Sequence, residues 1–253
     1  EHAVTFAAGL ALGGLIPVVA VYSSFLQRAI AQIIEDVCLQ KLHVIFAVDR
    51  AGLVGSDGET HQGCFDLTYL SMFPNMTVMA PKNKWELSDM LKFAVKYQGP
   101  IAIRYPRGEA YDGLEEFRAP IVLGRSEFLF EGEKTALLPV GSMVKTGEKV
   151  YRQLKEDGEN PTLINARFVK PLDEKMLDFL AAGHSLIVTM EENVKTGGFG
   201  MAVADYMRMN HPQVQVLIFA VPDQFVEHGN PEKLKEKLGL DPVSIYEKIK
   251  EAR

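Results

Sequence analysis

Apolar positions along this chain follow two rhythms in alternation. IPVVAVY (16–22) is a short β-branched run, and SSFLQRAIAQIIEDVCLQK follows it with serine capping candidates ahead of Leu26, Ile30, Ile33, Ile34, Val37 and Cys38 at helical spacing. HVIFAVD (43–49) and TVMAP (77–81) are again strand-like; a helical pattern, KWELSDMLKFAVKY, then leads into the strand PIAIRY. Strands separated by helices require crossover connections, so the sheet they form is parallel.

The rhythm fades between Tyr111 and Gly132, around DGLEEFRAP, and a linker is placed at 116–132. Alternation resumes with KTALLPVG, helix MVKTGEKVYRQLKEDG, strand PTLINAR, helix LDEKMLDFLAAG, strand SLIVTME, helix GFGMAVADYMRMN and strand VQVLIFAVP, and two amphipathic segments close the chain. The expected fold is α/β in two domains, 1–115 and 133–253, each a mainly parallel sheet flanked by helices.

Composition sharpens this reading by exclusion. With 47% apolar and 24% charged residues, the chain is of ordinary globular type. Its 27 Lys+Arg against 33 Asp+Glu give a net charge of −6, which argues against a general nucleic-acid or anionic-membrane surface. Cys38 and Cys64 have no ligand spacing, so neither a disulfide framework nor a structural zinc site is expected, and a reducing, cytoplasmic setting is favoured. No apolar run reaches membrane-spanning length. The opening EHAVTFAAGLALGG reads as the middle of a helix, so a fragment of a longer protein is expected.

One loop resists explanation by packing. DRAGLVGSDGETHQG (49–63) follows an apolar strand with an arginine, four glycines, three acidic residues and a histidine. Ligands of open parallel sheets bind at the carboxyl ends of the strands. The polar residues of the first domain fall there: Tyr22 to Arg28 after one strand, Arg50 to His61 after the next, and Arg104 and Arg107 of RYPRG after a later one. Several guanidinium groups around one crevice suit a phosphate or carboxylate. Taken singly, each arginine is as compatible with a solvated surface position, His61 with a loop-bracing role and Phe25 with a core position. The residues by themselves indicate an anion-binding α/β enzyme.

At HAVTFAAGLALGG, YSSFLQRA, DRAGLVGSDGETHQG and RYPRG, and in the second domain at ARFVKPLD, EENVKTGGFG, PDQFVEHG and LGLD, the chain resembles the 1-deoxy-D-xylulose-5-phosphate synthase family of transketolase-like, thiamin diphosphate-dependent enzymes. The resemblance runs over essentially all 253 residues. It implies a pyrimidine-binding domain followed by a transketolase C-terminal domain. It also implies a homodimer that condenses pyruvate, with loss of carbon dioxide, with D-glyceraldehyde 3-phosphate, feeding isoprenoid, thiamin and pyridoxal phosphate synthesis. The family's N-terminal domain, holding the cofactor diphosphate and Mg²⁺, lies outside this chain, so no metal ligands are expected here and the chain alone is expected to be inactive.

Carried over position by position, the resemblance implies that Phe25 stacks on the aminopyrimidine. Tyr22, Arg28, Arg50, Asp57 and Arg107 line the substrate channel, with the arginines as phosphate ligands, and His61 is the catalytic proton-transfer or carboxylate-contact group. Arg104 is assigned to support. The family's ylid-promoting glutamate falls just before Glu1, two positions ahead of His2. Ile30, Ala31 and Glu35 depart from the family pattern at positions bearing on subunit packing. Two other readings remain: the smaller half of a split transketolase or a 2-oxo acid dehydrogenase β subunit, and a non-catalytic dimerisation module.

Overall fold

A computed structural model describes residues 1–252. The chain opens with α1 (His2–Leu12) and β1 (Val18–Tyr22), continues through α2 (Ser23–Leu26) and α3 (Ile30–Gln32), and reaches β2 (Ile45–Asp49). Then come α4 (Asp66–Met72), β3 (Thr77–Met79), α5 (Lys84–Lys96) and β4 (Ile101–Arg104). The second half contains β5 (Glu127–Phe130), β6 (Lys134–Pro139), α6 (Met143–Glu156), β7 (Thr162–Asn165), β8 (Phe168–Lys170), α7 (Glu174–Gly183), β9 (His184–Val194), α8 (Phe199–Asn210), β10 (Gln215–Val221), α9 (Pro231–Leu238) and α10 (Pro242–Glu251).

Two five-stranded sheets result, ordered β1-β2-β4-β3-β8 and β10-β9-β6-β7-β5. Pairing is parallel except at one edge of each, where β8 runs antiparallel to β3 and β5 antiparallel to β7. The α/β expectation of two mainly parallel, helix-flanked sheets holds. Strands β2, β4 and β6 are central and covered on both faces, which is why IFAVD, IAIR and TALLP are nearly uninterrupted apolar runs.

Three details depart from the sequence reading. The segment read as a linker, 116–132, holds β5. Strand β8 comes from the second half yet completes the first sheet. The helical pattern after β1 is not one helix: α2 is followed by a 3₁₀ turn (Gln27–Ala29), α3, and a π turn (Ile33–Cys38) that buries Ile33, Val37 and Cys38. Ser23 and Ser24 do not cap it; both already lie within α2, Tyr22 occupies the cap position, and neither hydroxyl has a partner.

A buried ionic cluster fastens the halves. Lys82 Nζ lies 3.3 Å from Glu86 and 2.6 Å from Glu127, while Arg167 Nε lies 2.6 Å from Glu86 and its Nη2 2.9 Å from Glu127. Asn165 Nδ2 donates to Glu86 at 2.8 Å. The four charged side chains are 1–3% exposed, so each cation exists there only against its two carboxylates. Arg167→Met, which leaves Glu86 and Glu127 with a single cation, is expected to cost about 3–5 kcal/mol in urea unfolding. A loss below about 1 kcal/mol would mean that the cluster does not hold the halves together.

Candidate active site

Strands β1, β2 and β4 are parallel neighbours, so their carboxyl ends open on one edge. Tyr22 ends β1, Asp49 ends β2 with Arg50 beyond it, and Arg104 ends β4 with Arg107 beyond it. The unusual loop is a closed arch. Gly52 and Gly63 pair antiparallel at its neck, N–H to carbonyl at 2.7 and 2.8 Å, and the tip carries two 3₁₀ turns, Gly55–Asp57 and Glu59–His61. Glycine at the neck answers a steric demand: a Cβ on Gly63 would stand 2.2 Å from the Arg50 carbonyl oxygen, and one on Gly52 2.2 Å from the Glu192 carboxylate.

The edge carries two linked groups. In the first, the Arg50 guanidinium lies 3.8 Å from the Tyr22 ring centroid, 2.9 Å from Asp49 and 3.3 Å from Asp57. Arg107 reaches the same Asp57 at 2.8 Å and donates to Ser56 Oγ at 2.6 Å. Asp57 therefore holds two arginines in place. In the second group, Phe25 is 48% exposed, stacked on Tyr22 at 5.1 Å and edge-on to His61 at 5.3 Å. It lines a cavity of about 480 Å³ together with Ser24, Gln27, Arg28, Thr60 and His61. Thr60 Oγ1 is 3.0 Å from His61 Nδ1. Arg28 is exposed and makes no ion pair among the described residues.

All seven residues singled out from the sequence thus lie along one edge, although Arg28 and Arg107 belong to different groups. Arg28 is open to an anion, whereas an anion approaching Arg107 competes with Asp57. The exposed aromatic face of Phe25 beside the cavity fits a flat heteroaromatic ring. No cluster of three or more metal-ligating side chains occurs among the described residues.

Beneath the edge, Arg104 is 2% exposed and donates to Asp66 at 3.0 Å, to the Glu192 carbonyl at 3.2 Å and to the Gly63 carbonyl at 3.5 Å. Burial alone would lower its pKa; Asp66 and Glu192 outweigh that and raise it. Burial pushes the Cys64 thiol up, as do Glu192 and Asp66, which favours its protonated form. Gln62, Asp66 and Glu192 escaped the sequence reading. Gln62 could have been noticed beside His61, but the partners of Asp66 and Glu192 are distant in sequence and only the fold reveals them.

Residues 1–112 match the family described as transketolase, pyrimidine binding domain, and residues 124–245 that described as transketolase, C-terminal domain. The chain belongs to the transketolase family, of which it carries the pyrimidine binding and C-terminal domains. Within that family it is similar to the 1-deoxy-D-xylulose-5-phosphate synthases. It is 55% identical over 250 residues to the one from Lachnoclostridium phytofermentans and 49% identical over 250 residues to that of Dictyoglomus thermophilum, covering 98% of this chain and 40% of either relative. The chain therefore spans well under half the length of these relatives. Among solved structures, a split gene transketolase described as an inactive beta4 tetramer superposes with a TM-score of 0.88 at 27% identity, over 98% of this chain and 79% of that one. The transketolase of Campylobacter jejuni shares the fold, with a TM-score of 0.81 at 19% identity over 98% of this chain and 38% of that one.

Glu191, within the field of Arg104 and Asp66, supplies a test of the electrostatics beneath the edge. Burial pushes its carboxyl from 4.5 up to about 7, against the amides of Gly200 and Phe199, which donate to it and pull the value down. A carboxyl whose pKa is raised by folding binds its proton more tightly in the folded chain, so its stabilising effect is complete below about 4.5 and is lost as pH rises to about 7. Glu191→Gln does not titrate. Unfolding free energy measured from pH 4 to 8 is expected to fall for the parent relative to this variant by up to about 3 kcal/mol; parallel curves would contradict the assignment.

Proposed function

We propose that this chain supplies the pyrimidine-binding and substrate-channel half of a 1-deoxy-D-xylulose-5-phosphate synthase, a cytoplasmic enzyme. It joins pyruvate to D-glyceraldehyde 3-phosphate, releasing carbon dioxide and forming 1-deoxy-D-xylulose 5-phosphate, a precursor for isoprenoids, thiamin and pyridoxal phosphate. The observation that carries this reading is the exposed Phe25 ring beside His61 and the exposed Arg28, which has no ion pair among the described residues, next to the Arg50–Asp57–Arg107 cluster. Phe25 would hold the aminopyrimidine of thiamin diphosphate, which when bound supplies the electron sink for decarboxylation. Its diphosphate and Mg²⁺ are assigned to a domain outside this chain.

In this reading Arg28 and Arg107 receive the acceptor phosphate, while Tyr22, Arg50 and Asp57 shape the channel. Asp57 keeps the two arginines oriented before substrate arrives, which lowers the ordering cost of binding. His61 acts nearer the reacting carbons, moving a proton or contacting the carboxylate.

The assembly is proposed to be a homodimer. The segment from Leu26 to Cys38 does not itself demand a partner, because Leu26, Ile33, Val37 and Cys38 are buried within the chain. The apolar surface lies on α1 and the sheet edge instead: Phe6, Leu12, Leu15, Ile16 and Val18 are each 47–65% exposed. A split transketolase half remains the alternative, favoured by the similarity to such a chain at 27% identity; that relative's description as inactive accords with the proposal that half a site does not turn over.

A charge-assisted contact to phosphate contributes about 1.5–3 kcal/mol, or roughly ten- to a hundredfold. In the complete enzyme, Arg107→Ala is expected to raise KM for D-glyceraldehyde 3-phosphate by that factor, with little effect on pyruvate and far less loss with an unphosphorylated aldehyde. His61→Ala should depress kcat with either acceptor. Equal losses of Arg107→Ala with both aldehydes would assign that arginine a structural role. The 253-residue chain alone should show no turnover of the two substrates, and light scattering at micromolar concentration should give twice its chain mass; a monomer would overturn the dimer.

A further inference from the structure

The arch that carries Asp57 and His61 has little backbone support of its own. Beyond the Gly52–Gly63 neck, its internal backbone bonds are two turn contacts, Gly58 N–H to the Gly55 carbonyl and His61 N–H to the Gly58 carbonyl, both at 3.1 Å. A loop held so locally samples many conformations unless side chains fasten it. Arg50 and Arg107 hold its tip through Asp57 and Ser56, and Gln62 is the side chain that ties its two arms together. It is 5% exposed, and its Oε1 accepts from Val54 N–H at 2.9 Å and Gly55 N–H at 3.3 Å. Its Nε2 donates to the Glu227 carbonyl at 3.0 Å, in the loop after β10 that belongs to the second half of the chain. The two loops also meet at Gly55, where Gly229 N–H points at the Gly55 carbonyl at 3.4 Å and a Cβ on Gly55 would stand 2.2 Å from the Gly229 carbonyl oxygen.

We infer that Gln62 is a positioning residue: one buried amide locks the arch internally and pins it to the second domain, so that the C-terminal domain sets where Asp57 and His61 stand. A primary amide suits the position because it offers an acceptor for two converging N–H groups and, on its other atom, a donor for a carbonyl. Glutamate can perform the first task and not the second; leucine, of similar size, can perform neither. The inference rests on the proposed reaction for its catalytic consequence and on geometry for the rest.

Two measurements separate these parts. In the 253-residue chain, hydrogen exchange at the Val54 and Gly55 amides should accelerate at least tenfold in Gln62→Leu and stay near the parent rate in Gln62→Glu. The 222–230 loop should exchange faster in both variants, with the melting temperature moving by a few degrees at most. In the complete enzyme, both variants should lose about tenfold in kcat while KM for pyruvate stays within twofold, a split that general destabilisation would not produce. Unchanged exchange at Val54, Gly55 and the 222–230 loop in Gln62→Leu would overturn the inference, as would parent-like kcat in that variant. Parent-like kcat in Gln62→Glu, with the 222–230 loop freed, would overturn the role of the second domain. Absence of the reaction in the parent enzyme would overturn the proposed function instead, and the exchange rates would still decide whether Gln62 holds the arch.

Discussion

The edge of the first sheet is organised by Arg104. A guanidinium taken out of water at the end of a central strand must be matched by carboxylate and carbonyl oxygens, and Asp66, Gly63 and Glu192 supply them. Those partners are the first residue of α4, the neck of the polar arch and strand β9 of the second domain. Satisfying one buried charge therefore fixes the arch on the sheet and the second domain against both. Glu192 extends the same seam: its carboxylate accepts from Leu53 N–H at 3.3 Å and meets Lys235 Nζ at 2.7 Å, while the Cys64 carbonyl receives Val194 N–H at 2.7 Å.

Above this fixed base, charge is distributed unevenly. Arg50 is committed to Asp49, Asp57 and the face of Tyr22, and Arg107 shares Asp57, whereas Arg28 stands exposed at the cavity with no ion pair among the described residues. Under the proposed function this leaves Arg28 as the cation open to an anion, while Arg50 and Arg107 are already held against Asp49 and Asp57. Its aromatic neighbours, Tyr22 and Phe25, provide a flat apolar surface at the same edge.

Much of the architecture was readable from the order of apolar runs, because strands covered on both faces, such as Ile45–Asp49, cannot tolerate polar interruptions. Strands β5 and β8 were not: three or four residues at an antiparallel edge leave no period to detect, and Phe168–Lys170 pairs with a strand about ninety positions earlier. The arch drew notice because its glycines and charges contradict packing. Part of that composition proved steric, since Gly52 and Gly63 are there to let the neck close against Glu192 and Arg50. Which arginine is free could not be read from sequence, because it depends on how Asp57 is presented by a fold that brings residues 50, 57 and 107 together. Gln62 stands beside His61 in the sequence, but its role was hidden for a similar reason: its partner Glu227 lies in the other domain.

The proposed function is that this edge, together with a diphosphate-binding domain, makes a synthase and not a transketolase. The most direct measurement is product identification from the complete enzyme supplied with thiamin diphosphate, Mg²⁺, D-glyceraldehyde 3-phosphate and either pyruvate or a ketose phosphate donor. The account predicts 1-deoxy-D-xylulose 5-phosphate and one equivalent of carbon dioxide from pyruvate, with negligible ketol transfer from the sugar. Ketol transfer without decarboxylation of pyruvate would contradict it.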